Sequence, residues 1–573
     1  MSTPITRRRF LESLKEAGSW PAADRNIMVN LAIAFIAARA DAEAAGYFAG
    51  VADARPQDAS ALALTGFFQA RTGRDTEDAL GLLDKAATMD LGLPQYFRGL
   101  ALADRLDGTD ASKAAEQAAA DLEFVLAVRS EFPPGLLRAA FHGLARAYRQ
   151  LGRDDEAEAA QRSSGLSPAD DDPRLIFTSF SVTARDGMRM APPRILRPAP
   201  GVSVATSYDF GDFAFVQTAA GIVAIDAGTS AERVRSALAD LAFPADQPIT
   251  HVIVTHAHFD HVGGIAALLG PGTQVIASAG FPAEQERQRH WSIPFRNFTG
   301  TGASPIRQVE PDALVSETTS VTVGGVEFRL IPTTGGETPD ALMVYLPASG
   351  VLFTGDVMMP YTGAPFTAEG SPEGMLATLR TIRELGPQRL IHGHVPLTEN
   401  FTVEALAGLE PALADLHEFV LARIGENLTL PEILDRGYLP SGLREHPAAT
   451  LPYLVIRDHF TERLHHQRTG YWQPDGHGLD PRSAGDWAAA LDLLAGGNPA
   501  AFARTAATLA DQGDLGLALD IARAGELRHP GSTELDEVRR RVLGRLMEQH
   551  QVSDPFKFLV YAELAGAEVS PVA

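Results

Sequence analysis

Cysteine is absent from the 573-residue chain, and this absence removes several kinds of chemistry at once. Disulfide bridges, iron–sulfur clusters and catalysis by a thiol nucleophile are excluded, although the absence does not identify a compartment. Any bound metal ion must therefore be held by histidine, aspartate or glutamate side chains.

Positive charge is scarce relative to negative charge. The chain has 49 lysines and arginines against 72 aspartates and glutamates, which gives a formal net charge of −23. Such an acidic chain is a poor partner for nucleic acid or for an anionic membrane surface. No stretch is long and uncharged enough to predict a membrane span.

The first residues carry a possible targeting pattern. Residues 6–12 read Thr-Arg-Arg-Arg-Phe-Leu-Glu, which is similar to a twin-arginine export motif. Such a signal needs an uncharged apolar region soon afterwards, and Glu12, Lys15 and Glu16 interrupt it. We interpret the stretch as a basic first helix of a cytoplasmic protein, with twin-arginine export to the periplasm as the alternative.

A chain of this length is too long for one hydrophobic core, and its pattern divides into three regions. Residues 1–170 are alanine-rich and helical, residues 171–400 carry short β runs, and residues 401–573 are helical again. Segments 61–83 and 144–159 each place a Gly-Arg-Asp turn between two small-residue helices. They resemble tetratricopeptide units, which either bind a peptide or cover a neighbouring domain.

The middle region predicts an α/β fold. Strands are expected at 202–207, 213–217, 249–255, 274–278, 321–323, 326–331, 341–346, 351–354 and 389–391, with a further strand from 221 and a helix at 373–385. Antiparallel pieces mixed with helices predict two sheets sandwiched between helical layers, an αβ/βα arrangement flanked by all-α regions.

One motif in this region concentrates metal-binding side chains. Residues 256–261 read His-Ala-His-Phe-Asp-His, directly after a buried strand and before Gly263-Gly264 and an apolar helix start at Ile265. A tight loop at a strand end can aim His256 and His258 at one ion, and Asp260 and His261 at a second. Imidazole and carboxylate suit Zn²⁺, although iron and manganese accept similar ligands. A solvated polar loop is the alternative.

Two ions need further ligands, and three later strand boundaries offer them. Glu337 precedes one strand, while Asp356 and His394 follow two others, with His392 as a rival to His394. A glycine beside each position lets the backbone turn sharply and aim the side chain inward.

The order of these motifs resembles the metallo-β-lactamase superfamily across residues 195 to 400. The resemblance implies that His256 and His258 bind a first metal, that Asp260, His261 and His394 bind a second, and that Asp356 bridges them. The superfamily's usual third histidine stands in Gly-His-Thr-Pro-Gly. This chain has Gly-Glu-Thr-Pro-Asp at 336–340, so Glu337 takes that place.

With a glutamate at this position, the chain resembles the alkylsulfatase branch of the superfamily. The motifs at 427–433, 469–472 and 496–499 are similar to the helical dimerisation region of that branch, which implies a homodimer. Two features depart from it. The bridging residue is Asp356 and not a glutamate, and residues 361–370 lack the Asn- and His-rich stretch that supplies sulfate-binding groups in the branch.

The resemblance implies two zinc ions that hold a bridging hydroxide, with Asp260 orienting it. Asp226 either orients the histidine loop or caps the next helix. Tyr361 and His290 are candidate proton donors. Substrate contacts are predicted in the insert at 287–298, where an anionic group could meet arginines and an apolar group aromatics: Arg289, Arg296, Trp291 and Phe295. Solvated or core positions are the alternative for these residues.

The sequence therefore predicts a binuclear zinc hydrolase acting on an anionic or amphiphilic small molecule, with a sulfate ester as the first choice. A lactone, an amide or a phosphodiester in the same site is the first alternative. A non-hydrolytic iron enzyme and a repeat-based interaction scaffold are weaker ones.

Overall fold

The structure is a computed structural model of the whole chain. It describes residues 3–20, 25–73, 76–106, 110–128, 132, 134–169, 176–177, 180–183, 187–190, 193–244, 247–288, 308–333, 337–358, 371–470, 479–480, 482–550 and 555–566.

Nine described helices form the N-terminal region: α1 (Thr3–Gly18), α2 (Arg25–Ala37), α3 (Asp41–Ala54), α4 (Ala59–Thr72), α5 (Thr76–Met89), α6 (Leu93–Ala103), α7 (Ala111–Ala127), α8 (Pro134–Gln150) and α9 (Asp154–Ser164). Consecutive helices pack against each other, including α4 with α5 and α8 with α9, the two pairs singled out by the repeated segments. Gly73 ends α4 in the left-handed region, with φ of 68°, where a side chain would be strained. The tetratricopeptide class of these pairs stays a prediction.

Two mixed sheets follow a small hairpin of β1 (Phe180–Thr183) and β2 (Gly187–Met190). The first sheet has seven strands in sequence order: β3 (Arg194–Ala199), β4 (Val202–Thr206), β5 (Phe213–Thr218), β6 (Gly221–Ile225), β7 (Ile249–Ile253), β8 (Gln274–Ser278) and β9 (Ala313–Val315). Strands β3 to β6 pair antiparallel, and β6 to β9 pair parallel.

The second sheet has five strands, also in sequence order: β10 (Thr319–Val323), β11 (Val326–Pro332), β12 (Leu342–Leu346), β13 (Val351–Gly355) and β14 (Arg389–His392). All neighbours pair antiparallel except β13 and β14. The helices of this region are α10 (Ala231–Leu241), α11 (Phe259–Val262), α12 (Phe281–Gln288), α13 (Pro372–Leu385) and α14 (Val395–Asn400).

Alternation along the strands explains the layers, because successive side chains point to opposite faces of a sheet. Val204, Val223 and Ile225 of the first sheet meet Val344 and Phe353 of the second in one core between the sheets. The intervening residues of the first sheet face a second core that includes α10. Those of the second sheet face a third core that includes α13. The predicted αβ/βα sandwich with flanking helical regions is confirmed.

The C-terminal region is helical: α15 (Val403–Gly425), α16 (Leu430–Leu434), α17 (Thr450–Thr469), α18 (Ala484–Leu494), α19 (Pro499–Asp511), α20 (Leu515–Arg528), α21 (Thr533–His550) and α22 (Pro555–Leu564). Helices α15 to α17 share one hydrophobic core with the N-terminal helices and with α13. Arg457 of α17 donates to Ser13 of α1 across 2.8 Å inside that core. The last helices form smaller cores of their own.

The domain limits at 170 and 400 stay predictions. Within the described residues, every helix is too short or too polar to serve as a transmembrane segment.

Candidate metal centre

The predicted ligands meet at one edge of the two sheets. The motif at 256–261 follows the carboxyl end of β7, Asp356 follows β13 and His394 follows β14. Glu337 precedes β12, which runs antiparallel to β13 and so begins at the same edge. Side chains at the carboxyl ends of parallel strands meet at one crevice, where open α/β sheets bind their ligands.

The end of the motif enters the short helix α11, which begins at Phe259, and the apolar helix expected from Ile265 is reduced to one 3₁₀ turn at Ile265–Ala267. Close packing explains the difference. A Cβ on Gly264 would lie 2.1 Å from the carbonyl oxygen of Ala227, so the chain is pressed against the loop between β6 and α10. This contact fixes the position of the histidine loop at the edge of the sheet.

The first ligand group consists of His256, His258 and Glu337, all of them buried. Glu337 Oε2 lies 3.0 Å from His258 Nδ1 and 3.4 Å from His256 Nε2. Two imidazole nitrogens and one carboxylate oxygen therefore converge on one point, a donor set that suits a divalent ion.

The second ligand group consists of Asp260, His261, Asp356 and His394, and it is buried as well. Asp356 Oδ2 lies 3.0 Å from His394 Nε2 and 3.3 Å from His261 Nε2. Asp260 Oδ2 lies 3.3 Å and 3.5 Å from the same two nitrogens. Asp356 Oδ2 is also 4.0 Å from His256 Nε2, so this carboxylate stands between the two groups.

The hydrogen bonds around both groups fit resident metal ions. His256 Nε2, His261 Nε2 and Glu337 Oε2 are buried and make no hydrogen bond within the described part of the chain. The other ring nitrogens are held from behind, His261 Nδ1 by Asp226 Oδ2 at 2.9 Å and His394 Nδ1 by the Phe210 carbonyl at 2.8 Å. Such contacts fix the ring of a metal-binding histidine and direct its lone pair at the ion.

The buried carboxylates and imidazoles of the second group shift each other's pKa. Burial opposes ionisation, but the nearby charges of His261 and His394 hold the pKa of Asp260 well below its usual range. Burial acts likewise on Asp356, where the charges of His394 and His261 keep the pKa well below its ordinary value. The same carboxylates outweigh burial at the two histidines and raise the pKa of each well above its ordinary value. Without an ion, the second group therefore retains protons that a metal would displace.

Asp226 supports the histidine loop. Its carboxylate accepts hydrogen bonds from the Thr255 backbone at 2.8 Å, from the Thr255 hydroxyl at 2.7 Å and from His261. The next helix, α10, is capped by Ser230 instead. Of the two roles considered for Asp226, the geometry matches the orientation of the loop.

His392 faces away from both ligand groups. Its Nδ1 lies 2.7 Å from the Thr354 hydroxyl and its Nε2 lies 2.9 Å from the Phe401 carbonyl. Burial lowers the pKa of His392 to about 4, so the ring is neutral. His392 therefore ties β14 to the start of α15, and His394 is the histidine that enters the second group.

The loop at 207–212, which joins β4 to β5 at the same edge, is a part of the centre that was not predicted from the sequence. Phe210 holds His394, and Asp209 accepts hydrogen bonds from the Thr229 and Ser230 backbones at 3.0 and 2.9 Å. A Cβ on Gly211 would lie 2.2 Å from the Asp260 carbonyl oxygen. A signal was present, since a loop of aspartates, aromatics and glycine separated two predicted strands.

Several predicted site residues lie outside the described residues. They are the substrate-contact candidates Arg289, Trp291, Phe295 and Arg296 and the proton-donor candidates His290 and Tyr361. Their roles stay predictions.

Comparison with known proteins agrees with the geometry. The profile of the metallo-beta-lactamase superfamily matches residues 209–394, a span that contains both ligand groups. Residues 209–394 form a metallo-β-lactamase domain.

Relatives of the chain include proteins named alkylsulfatase and proteins named hydroxyacylglutathione hydrolase. The chain is 23% identical over 322 residues to the linear primary-alkylsulfatase of a Pseudomonas species, covering 49% of this chain and 60% of that protein. It is 30% identical over 193 residues to the hydroxyacylglutathione hydrolase of Idiomarina loihiensis, covering 32% of this chain and 64% of that protein.

Solved structures extend the likeness beyond the metallo-β-lactamase domain. A stereoselective inverting sec-alkylsulfatase from Pseudomonas superimposes with a TM-score of 0.54 at 20% identity, covering 66% of this chain and 65% of that one. This likeness shows the fold alone. The chain thus spans less than two-thirds of the length of each of these three relatives.

Proposed function

We propose that this protein is a metal-dependent hydrolase whose metallo-β-lactamase domain holds two divalent ions, zinc in the first instance, with iron or manganese as substitutes. The observation that carries the proposal is the pair of buried ligand groups with Asp356 between them. The ligands would be His256, His258 and Glu337 for one ion, and Asp260, His261 and His394 for the other.

When bound, two such ions supply an activated water and polarise the bond to be cleaved. Residues of the chain would orient this water and tune its basicity. Asp260 would accept a hydrogen bond from the attacking water and so orient it. Glu337 would add a negative charge where the superfamily usually has a neutral imidazole, which makes the nucleophile more basic and the ion a weaker Lewis acid.

We propose a sulfate ester of an amphiphilic alcohol as the substrate. The names of the alkylsulfatase relatives support this class. Glu337 supports it as well, because glutamate at this position resembles the alkylsulfatase branch. The acidic chain would bind the anionic head through local cations, for which Arg289 and Arg296 are the predicted candidates.

A second candidate is hydrolysis of an acyl substrate, a lactone or a compound such as hydroxyacylglutathione. The relatives named hydroxyacylglutathione hydrolase favour it, and the bridging carboxylate is an aspartate in Gly355-Asp356 and not the glutamate of the alkylsulfatase branch. A phosphodiester or an amide would use the same centre.

The test is a hydrolysis screen of the zinc-loaded protein against alkyl sulfates of several chain lengths, aryl sulfates, lactones, hydroxyacylglutathione and phosphodiesters. Metal content is measured in parallel, with two ions per chain expected. Asp260→Ala should abolish turnover, while Asp240→Ala, on the exposed side of α10, should keep it. Absence of sulfate release at every chain length rejects the sulfate-ester class. Iron together with oxygen consumption rejects the hydrolase itself.

We also propose that the protein is a homodimer that pairs through its C-terminal helices. Helix α18 supports this, because it leaves Trp487 55% and Leu494 86% exposed on one face, and exposed large apolar side chains that cluster are a common feature of protein–protein contacts. Light scattering should give twice the chain mass, and Leu494→Glu should halve it. A monomeric wild-type protein rejects the dimer without affecting the proposed chemistry.

A further inference from the structure

Asp212 is a buried carboxylate that the proposed chemistry does not use. It ends the loop at 207–212 and is only 4% exposed. Its Oδ1 accepts a hydrogen bond from the Ser207 backbone at 3.2 Å, but its Oδ2 has no hydrogen-bond partner among the described residues. Burial raises the pKa of this carboxyl to about 7. An orphaned buried acceptor costs about 1–3 kcal/mol, so its persistence needs an explanation.

A cavity of about 10 Å³ lies beside this carboxylate, between the two sheets and beneath the metal centre. Its walls are apolar where β4, β5, β6, β13 and β14 meet. Its polar side is formed by Asp212, Asp226, Thr255, His392 and Gly393. A space of this size is the smallest that holds one water molecule, and a polar lining is what distinguishes a hydrated cavity from a dry one.

The cavity joins the supports of two different ligands. Asp226 holds His261 through the 2.9 Å hydrogen bond. Asp212 donates its backbone N–H to the Gly393 carbonyl at 2.7 Å, one residue before His394, and follows the Phe210 carbonyl that holds the His394 ring. His261 therefore rests directly on one carboxylate that lines this space, and His394 is held by the backbone of the loop that ends in the other carboxylate, Asp212.

We propose that this cavity holds one resident water molecule, which links Asp212 to Asp226, and that Asp212 is thereby a positioning residue for His261 and His394. The water donates one hydrogen to Asp212 Oδ2 and the other towards Asp226, so it satisfies the orphaned oxygen and separates two buried carboxylates. The positioning role rests on the proposed metal-binding function, whereas the water itself does not.

The water is tested first, because its detection does not depend on metal or activity. A crystal structure of the full chain at about 1.8 Å or better should show one spherical density peak within hydrogen-bond distance of Asp212 Oδ2. An empty cavity overturns the proposal, even if two metals are present. A density peak in a protein that binds no metal supports the water and rejects the proposed function.

The positioning role is tested with Asp212→Ala and Asp212→Asn in the cobalt-substituted protein. Asp212→Ala should shift the visible absorption bands of the second ion and speed its release to a chelator by about 10- to 100-fold, the usual cost of losing a support behind a ligand. Asp212→Asn, which keeps an oxygen at the cavity, should restore release to within a few-fold of wild type.

The matched control is Asp240→Asn. Asp240 accepts a hydrogen bond from Tyr208 in the same loop at 2.6 Å but does not line the cavity. The cobalt absorption spectrum of Asp240→Asn and the rate at which it releases the second ion should equal those of the wild type. Release from Asp212→Ala within twofold of wild type overturns the positioning role. If Asp212→Ala does not fold, Asp212→Asn and the density peak still decide the proposal.

Discussion

The two ligand groups have the same donor types but differ in what stands behind them. In the second group, His261 rests on the Asp226 carboxylate and His394 on the Phe210 carbonyl. In the first group, His256 Nδ1 contacts the Thr255 hydroxyl at 3.1 Å, which is an uncharged partner. Charge differs too, since the second group contains Asp260 and Asp356 and the first contains Glu337.

This difference indicates which of the two ligand groups keeps its geometry when no ion is bound. A ligand whose second nitrogen is held by a carboxylate keeps its orientation without an ion and binds the ion more strongly. Two carboxylates also attract a cation more than one does. We therefore expect the second group to hold its ion more tightly and the first group to lose its ion first during dialysis against a chelator.

Asp356→Ala should have the largest effect, because it removes the carboxylate that both groups share. Its Oδ2 lies 3.0 Å from His394 Nε2 and 4.0 Å from His256 Nε2. Turnover of the substrate found in the screen should fall on the order of 10³-fold or more. Metal content should fall from two ions towards zero. Two retained ions with near-normal turnover would remove Asp356 from the centre.

Glu337→Gln should separate the two groups. Loss of this negative charge weakens the first group alone, since Glu337 Oε2 faces His256 and His258 and none of the second group's histidines within ion-pair distance in the described structure. Plasma mass spectrometry should find one ion per chain, and turnover should fall roughly 100-fold. The matched variant Asp260→Asn should instead weaken the ion of the second group. Loss of both ions in Glu337→Gln would show that the groups do not bind independently.

Much of this centre could be predicted from the sequence, because its ligands sit at strand boundaries. Strand β7 was expected at 249–255 and spans Ile249–Ile253, and β13 was expected at 351–354 and spans Val351–Gly355. Short β-branched runs broken by glycine give such limits within a residue or two. Once the strands were placed, the ligands after them had to meet at one edge.

The support behind His261 could be proposed from the sequence, because the Asp226 side chain forms it, but the support behind His394 could not, because a backbone carbonyl forms it. The Phe210 carbonyl that holds His394 carries no residue signature, and any side chain at position 210 would supply it. Likewise, the core that joins the N-terminal helices to α15 and α17 consists of apolar residues whose partners lie hundreds of positions apart. Periodicity shows that such a face is buried but not against what.

Protonation of the second group should make its metal affinity depend on pH. The charges of Asp260 and Asp356 outweigh burial and raise the pKa of His261 and His394 well above the ordinary value, so both rings keep their protons to higher pH than a free imidazole when no ion is bound. An imidazole must lose that proton to bind metal. Affinity should therefore rise with pH, by up to about tenfold per unit for each proton released. Calorimetry in buffers of different ionisation enthalpy should count about two protons per second-group ion. A count of zero would contradict the charged state of these rings.

Of these changes, Gly211→Ala should have the smallest effect on the centre. It should act on the second ligand group. The added Cβ would meet the Asp260 carbonyl oxygen at 2.2 Å, so the loop or α11 must shift by several tenths of an ångström or more. Overpacking of this kind costs about 1–3 kcal/mol, and it should lower the melting temperature by a few degrees. Release of the second ion should accelerate several-fold, while the first ion should leave at its normal rate. Gly50→Ala is the control, because nothing lies within 4 Å of its added Cβ in α3 and alanine favours a helix. Equal acceleration for both ions would mean that the loop at 207–212 supports the whole centre and not the second group alone.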